Sequence, residues 1–238
     1  HHLTQYIDQF RAHVPGAGVD LQYMHPDEIP EQVLNDRSDL GLMSFVTPRR
    51  DLAAIPWRRQ PMVVVCPPSH RITQLTAAQG GVKPTDLNRE RFVAFDRELP
   101  ARRETDRFLR RHEVHVNITA EFDNIETIKQ AVDEGAGIAI VPEPTLRREV
   151  RRGTLVQSPF ILPPGASPLV RPLSIVHRRN RRLHPAVIEF IKLLQTDGAD
   201  TTVDPHDANH TAHPDAGNTP SSSQPSHGST KVAQGVNL

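Results

Sequence analysis

The stretch FDNIETIKQAVDEGAGIAIVPEPTLRREVRRG, Phe122 to Gly153, carries a helix, a strand and a second helix with every boundary marked. Ile125, Ile128 and Val132 recur at helical spacing, and Asp123 and Asn124 just before them are both good N-cap residues. Gly135 and Gly137 supply the stop. Ile138 to Val141 then reads as a short apolar strand, and Pro142 and Pro144 open a helix that runs to the turn at Gly153. The segment is an α/β unit of the kind that builds ligand-binding domains.

Working outward, helices are expected over Leu3 to His13, Pro26 to Asn35, Arg103 to His112, Ile125 to Glu134, Pro144 to Arg152 and Pro185 to Leu194. Strands are expected near Val19 to Tyr23, Leu40 to Ser44, Ala54 to Arg58, Met62 to Val65, Arg91 to Ala94, Val116 to Phe122, Gly137 to Val141, Leu155 to Pro159 and Leu173 to Val176. This alternation predicts mostly parallel sheets with helices on both faces.

In its detail the opening stretch resembles the second half of the effector-binding domain of LysR-type transcriptional regulators. There a segment reading D-x-I-E-T-I-K-x-A-V-x-x-G-x-G-I-A-x-x-P, then x-E-x-x-x-G-x-L, recurs; its tail falls here on Arg148, Glu149, Gly153 and Leu155. HHLTQYIDQFRAHVPGAGVDLQY, DLGLMSF, MVVVCPPSH and VRPLSIVHRRNRRLHPAVIEFIKLL resemble further pieces of that domain, in family order, over residues 1–195. The resemblance implies a two-lobed, periplasmic-binding-protein-like (type II) α/β fold. Residues 1–66 and 169–195 would form one lobe, residues 67–168 the other, and a small-molecule effector would bind between them. It also implies self-association as a dimer or tetramer, with Phe10 and Val14 of the first helix as candidate contacts, and DNA binding only through an N-terminal helix-turn-helix. Neither that element nor the family's first effector-domain strand is recognisable ahead of His1, so the chain reads as a fragment with an incomplete first lobe.

Lysine plus arginine number 28 and aspartate plus glutamate 28, so global charge gives no argument for a nucleic-acid or membrane surface. No apolar run approaches the ~20 residues of a membrane span, and no signal-peptide pattern opens the chain. A cytoplasmic location follows as the expectation. Cys66 lies in an apolar run and reads as a buried, inert thiol. From Thr196 onward the chain is poor in apolar residues, so 196–238 is expected to be a disordered tail, and His206, His210 and His213 within it to be solvated rather than a metal site.

Three places qualify for ligand contact, since in open α/β sheets ligands gather at strand carboxyl ends and helix N-termini. The first is Phe45, Val46 and Thr47 after the strand Leu40 to Ser44; Thr47 offers a hydroxyl, and a plain turn ahead of Pro48 is the alternative. The second is Glu98 to Thr105, where Arg102 and Arg103 oppose the helix dipole and so invite an anion, with Thr105 beside them. Arg107, Arg110 and Arg111 continue the basic character and support the alternative of a solvated charged face. The third is Asp123, Asn124 and Ile125, where Asp123 and Glu126 have capping-box spacing. No nucleophile elbow, P-loop, dinucleotide fingerprint or metal spacing occurs in residues 1–195, and His70 reads as a plain loop residue, so neither an enzyme nor a cofactor is indicated. The expected function is effector sensing, with the rim arginines leaning toward an anion. The alternative is a periplasmic solute-binding protein whose signal peptide is missing.

Overall fold

A computed structural model describes residues 3–196 and 229–235. The chain runs α1 (Leu3–His13), β1 (Gly18–Met24), a 3-10 turn leading into α2 (Ile29–Leu34), β2 (Leu40–Ser44) and β3 (Leu52–Cys66). It continues through α3 (Arg71–Gln79), β4 (Arg91–Phe95), α4 (Pro100–Arg111), β5 (Asn117–Phe122), α5 (Ile125–Asp133) and β6 (Ala139–Pro142). The last elements are α6 (Arg147–Arg152), β7 (Val156–Ser158), β8 (Val170–Arg178), α7 (Pro185–Thr196) and β9 (Ser229–Gly235).

Two apolar cores define two lobes. In the first, α1 turns Leu3, Tyr6 and Phe10 onto β2, β8 and α7, and Phe10 meets Phe190 edge-on at 5.1 Å between ring centroids. Phe10 is thereby buried in its own lobe and is not available as the dimer contact expected of it. In the second, Met62–Cys66 of β3 joins β4, α4, α5 and β6 around Phe92, Phe108, Ile128 and Ile140. Ile55 and Trp57, earlier on β3, pack on the first core, so this one strand serves both lobes.

β3 corrects the expectation of two separate strands. It is one strand of 15 residues. Pro56 sits at a register shift against β8, where a missing N–H is tolerated, and Pro61 sits at the last rung before β3 changes partner. Pro61 pairs with Val170 of β8, and Met62 pairs with Pro142 of β6. The sheet order is β1-β9-β2-β8-β3-β6, with β7 also on β3. It is mixed rather than mostly parallel: β1, β9 and β2 run parallel, whereas β8, β6 and β7 enter antiparallel. The crossing strands reverse direction because each passes between lobes once, β3 outward and β8 back. β4 and β5 form a second, parallel pair.

The expected gap in the first lobe is filled. β9 lies between β1 and β2 and pairs with both, so the expectation of disorder fails for Ser229–Gly235: Thr230 and Val232 find buried positions there that offset the entropy of ordering. Thr196 ends α7 as an ordered residue. The remainder of the expected tail, with His206, His210 and His213, lies outside the described residues. No helix among the described residues is long and apolar enough to cross a membrane.

Gly137 has both a steric and a conformational reason. Gly137, at φ +156°, lets Ile138 donate to Arg91 O at 2.8 Å and accept from Val93 N at 2.8 Å, so the chain hugs the edge of β4. A Cβ there would lie 2.6 Å from the Arg91 carbonyl carbon.

Candidate functional site

β2 ends on Ser44, and Phe45 follows in the left-handed region at φ +53°, a conformation that is strained for a bulky side chain. Its N–H donates to Pro172 O at 3.2 Å, tying the turn to β8. The turn sends successive side chains to different cores: Phe45 packs on the second lobe's core, and Val46 on the small cluster of Ile29, Val33, Leu52 and Val176. Phe45 is therefore a contact between lobes. Thr47 is exposed.

Beside this turn lies a pair that inspection of the sequence missed. Arg171 donates from Nε and Nη2 to Gln60 Oε1 at 2.9 and 2.6 Å. The pair occupies the β3–β8 rung next to Pro61–Val170, where β3 is about to leave β8 for the other lobe. Among the described residues no carboxylate pairs with Arg171, and burial pushes its pKa down to about 10. A guanidinium held in that state is costly unless an anion offsets its lost hydration. The available signal was a lone arginine in the apolar return strand Val170-Arg171-Pro172-Leu173, unremarkable without the strand pairing that places Gln60 opposite.

Arg102 is a correction. Leu99 is the N-cap of α4 and Pro100 opens it, so the helix starts three residues earlier than expected and Arg102 lies in its first turn, as expected. Its side chain, however, is buried and fully engaged: Nε with Asp106 at 2.9 Å, Nη1 with Phe95 O at 2.8 Å and Glu121 at 3.0 Å. Burial works against its charge, but the hydrogen bonds to Glu121 and Asp106 win and raise its pKa. The unfavourable dipole is answered by these carboxylates. Arg103 points to solvent, and Thr105 is buried with its hydroxyl unpartnered among the described residues.

At the start of α5, Asn124 is the cap: its Oδ1 accepts from Glu126 N at 2.7 Å and Thr127 N at 3.3 Å. Asp123 is exposed and does not cap, since the helix begins one residue later than a box with Glu126 requires. Ile125 faces the second core at 1% exposure, which corrects its assignment as a ligand contact. One turn on, Lys129 is buried and bonded to Thr145 O at 2.9 Å and Glu149 at 3.0 Å, pinning α5 to the helix after β6. His70 is more than a loop residue: its Nδ1 accepts from Ile72 N at 3.3 Å and caps α3, an element not anticipated. Burial pushes the Cys66 thiol up, as for an inert side chain.

An open pocket of about 360 Å³ lies against Phe45, Val46, Pro172 and Ser174. Its two arginines are already engaged: Arg49 pairs with Glu31 and Asp51, and Arg179 donates to the carbonyls of Arg50 and Leu52. Because adjacent strand residues face opposite ways, Pro172 and Ser174 put this pocket on the sheet face away from Arg171.

The family model described as LysR substrate binding domain matches residues 1–199. A probable RuBisCO transcriptional regulator of Synechocystis is 26% identical over 196 residues, 80% of this chain and 54% of that protein. The Escherichia coli HTH-type transcriptional regulator YeiE, itself uncharacterized, is 25% identical over 79% of this chain and 61% of its own length. The chain thus spans a little over half the length of these relatives. They are named as transcriptional regulators, which sets aside the solute-binding alternative. Among solved structures, the regulatory domain of Synechocystis CcmR in complex with 2-PG superposes with a TM-score of 0.71 at 24% identity, covering 84% of this chain and 92% of that one. The BenM effector-binding domain with benzoate gives 0.70 at 18%, over 89% and 93%. The QuiR effector-binding domain with shikimate gives 0.69 at 16%, over 85% and 93%.

Proposed function

The chain belongs to the LysR substrate-binding domain family, and from that premise we propose that it binds a small anionic metabolite between its lobes. Residues 1–66 and 169–195 form one lobe in this reading and 67–168 the other. The whole protein, of which this domain would be the sensing part, would use the bound metabolite to regulate transcription through a DNA-binding segment, as an oligomer in the cytoplasm. No catalytic step is assigned to the domain.

The observation that carries the anionic reading is Arg171. It is a half-buried cation on the strand pair that passes between the lobes, oriented by Gln60 and without a carboxylate among the described residues. Phe45, whose N–H donates to the carbonyl of the neighbouring residue Pro172 on the opposite sheet face, touches the other lobe's core and is a second candidate contact. Thr47, Asn124 and Asp123 belong to the same rim in this reading; Arg102 and Ile125 do not, and Arg103 and Thr105 carry no supporting contact. The three solved neighbours named above carry 2-PG, benzoate and shikimate, which makes small acids the class to test first.

The experiment is a thermal-shift panel of small carboxylates and phosphorylated acids, followed by titration calorimetry on those that stabilise. An anion that stabilises the chain and binds Arg171→Gln at least about tenfold more weakly, the loss of one charge-assisted contact, is expected. A neutral metabolite binding better than any acid, or an acid bound equally by Arg171→Gln, would overturn the assignment.

A further inference from the structure

β3 gains one residue on β8 between Pro56 and Arg58: Pro56 pairs with Ser174 and Arg58 with Leu173, so Trp57 has no rung of its own. Such a bulge sets two residues against one and re-aims the side chain that follows. Strict alternation from Ile55, which packs on the first core, would bring Trp57 to the α1 side of the sheet and Arg58 to the other. The extra residue brings both to the α1 side: Trp57 packs on the first core, and the Arg58 guanidinium lies 4.9 Å from the centroid of its ring. Two residues on, Gln60 shares that face, and Arg171 stands across from it on β8. Arg58 and Arg171 are therefore diagonal neighbours on one face, about 7–8 Å apart along the backbone, a separation that long side chains span.

We propose that Arg58 and Arg171 act as a pair that selects a small acid carrying two anionic groups. The pair rests on the reading of Arg171 as an anion contact and adds to it a second cation and the charge of the ligand. Arg58 is held from two directions. Its Nη2 donates to the Tyr6 hydroxyl, and its guanidinium lies 5.6 Å from the centroid of the Tyr6 ring as well as over Trp57. The two rings meet edge-on at 6.2 Å, and Trp57 Nε1 donates to the Leu194 carbonyl at 2.7 Å, so the start of α1 and the last turn of α7 anchor the clamp. Arg171 is oriented by Gln60, on which it uses two of its five N–H donors.

Two guanidinium ions on one sheet face repel each other, and neither the Tyr6 hydroxyl nor the Gln60 amide carries a charge that would offset the repulsion. A ligand with one anionic group relieves one of them. A ligand with two relieves both, and each of its groups can meet a planar fork of donors. Since both side chains are already held by partners within the domain, the ligand does not have to order them, and that lowers the cost of binding. The Gln60–Arg171 rung adjoins the Pro61–Val170 rung, beyond which β3 leaves β8 for the other lobe, so the pair stands where the lobes join.

Titration calorimetry on the intact chain compares succinate with butyrate, which lacks the second carboxylate, and phosphonoacetate with acetate, which lacks the phosphonate. Each dianion should bind at least about tenfold more tightly than its monoanion, the gain from one further charge-assisted contact. Tighter binding of succinate would assign a dicarboxylate, and tighter binding of phosphonoacetate a phosphorylated acid. Arg58→Gln should remove the preference, weakening the dianions at least about tenfold and leaving the monoanions within about twofold, whereas Arg171→Gln should weaken both classes. Weakening by Arg171→Gln without any by Arg58→Gln would overturn the pair and leave the anionic reading of Arg171 standing; weakening by neither, while an acid binds, would overturn both. Monoanions bound as tightly as dianions, or no binding of any of the four below about 10 mM, would also overturn the pair. Tyr6→Phe keeps the buried ring and removes the hydroxyl that accepts from Arg58. It should shift the dianion affinity at least about threefold with the monoanions unchanged, and it decides the matter if Arg58→Gln does not fold: an unchanged dianion affinity would count against the pair.

Discussion

Replacing Arg102 with Met separates a structural charge from a ligand contact. The substitution keeps the buried stem of α4 and removes a guanidinium that holds Asp106, Glu121 and the Phe95 carbonyl. The two carboxylates retain 45% and 27% of their side-chain exposure and can be rehydrated, so each contributes only about 0.5–1 kcal/mol. The Phe95 carbonyl sits in a buried bond, and an acceptor stranded there costs about 1–3 kcal/mol. The terms sum to about 2–5 kcal/mol, and about 3 is taken as the working figure because solvent screens two of the three partners. With a urea slope near 2–3 kcal/mol/M, the midpoint of Arg102→Met should fall by about 1 M. Arg103→Met, one residue along and exposed, should move it by no more than about 0.2 M, the surface range of ±0.5 kcal/mol at that slope. Equilibrium urea unfolding followed by far-UV circular dichroism reads both. If Arg102→Met unfolds at the parent midpoint yet loses affinity for an anion, the guanidinium serves a ligand and the structural reading is wrong.

The remaining predictions concern the same framework. Hydrogen bonds from Arg102 and Arg97 hold Glu121 below the usual carboxylate range, so its contribution is present above the unfolded value near 4.5 and is lost as pH falls through the lower folded value. Glu121→Gln should accordingly be less stable than the parent at pH 7 and should converge with it in acid; a gap that widens toward low pH would contradict the sign. Gly137→Ala should cost at least about 2 kcal/mol in urea, since the new Cβ meets the Arg91 backbone and φ +156° disfavours it further. A Tm unchanged within 1 °C, against an expected ~2–4 °C per kcal/mol, would refute that. Cys66, buried and with its thiol pKa raised, should react with a thiol reagent only after unfolding; stoichiometric labelling of the native chain within minutes would be the contrary result. Arg171→Leu should cost the domain no more than about 1–3 kcal/mol, the cost of the acceptor stranded at Gln60 Oε1, while anion binding is lost; a larger drop in stability would mean that the guanidinium is structural.

Elements marked by local chemistry were legible from sequence. α1 occupies Leu3–His13 and α5 starts at Ile125, each as its apolar spacing and flanking polar residues dictate. What was not legible depends on partners far along the chain. The continuity of β3 through Pro56 and Pro61 depends on which strand lies beside each rung, and composition argues for a break there. Ser229–Gly235 has the composition of a tail until Leu40, Leu21 and the first core are placed around Val232. The candidate site follows the same division. Phe45 could be found because it ends an apolar strand, but its left-handed backbone and its hold on Pro172 are tertiary facts.

The two arginines show why charge at a rim does not by itself mark a site. Arg102 and Arg171 are the same side chain, each partly or wholly withdrawn from water, yet their pKa values move in opposite directions. Arg102 is raised because two carboxylates outweigh the loss of hydration; adding a ligand anion there would have to displace one of them, with little net gain. Arg171 is lowered because burial acts almost alone and Gln60 offers only a neutral acceptor. Among the described residues Arg171 therefore has a neutral partner and no carboxylate, and in the proposed reading an anion that reached it would bind most strongly to the arrangement of lobes that brings its acceptors nearest. A difference in affinity between two arrangements is the physical requirement for a ligand to shift their balance. In the proposed reading it is Arg171 on the crossing strands, bonded to the neutral Gln60, and not the arginine-rich helix, that would supply it.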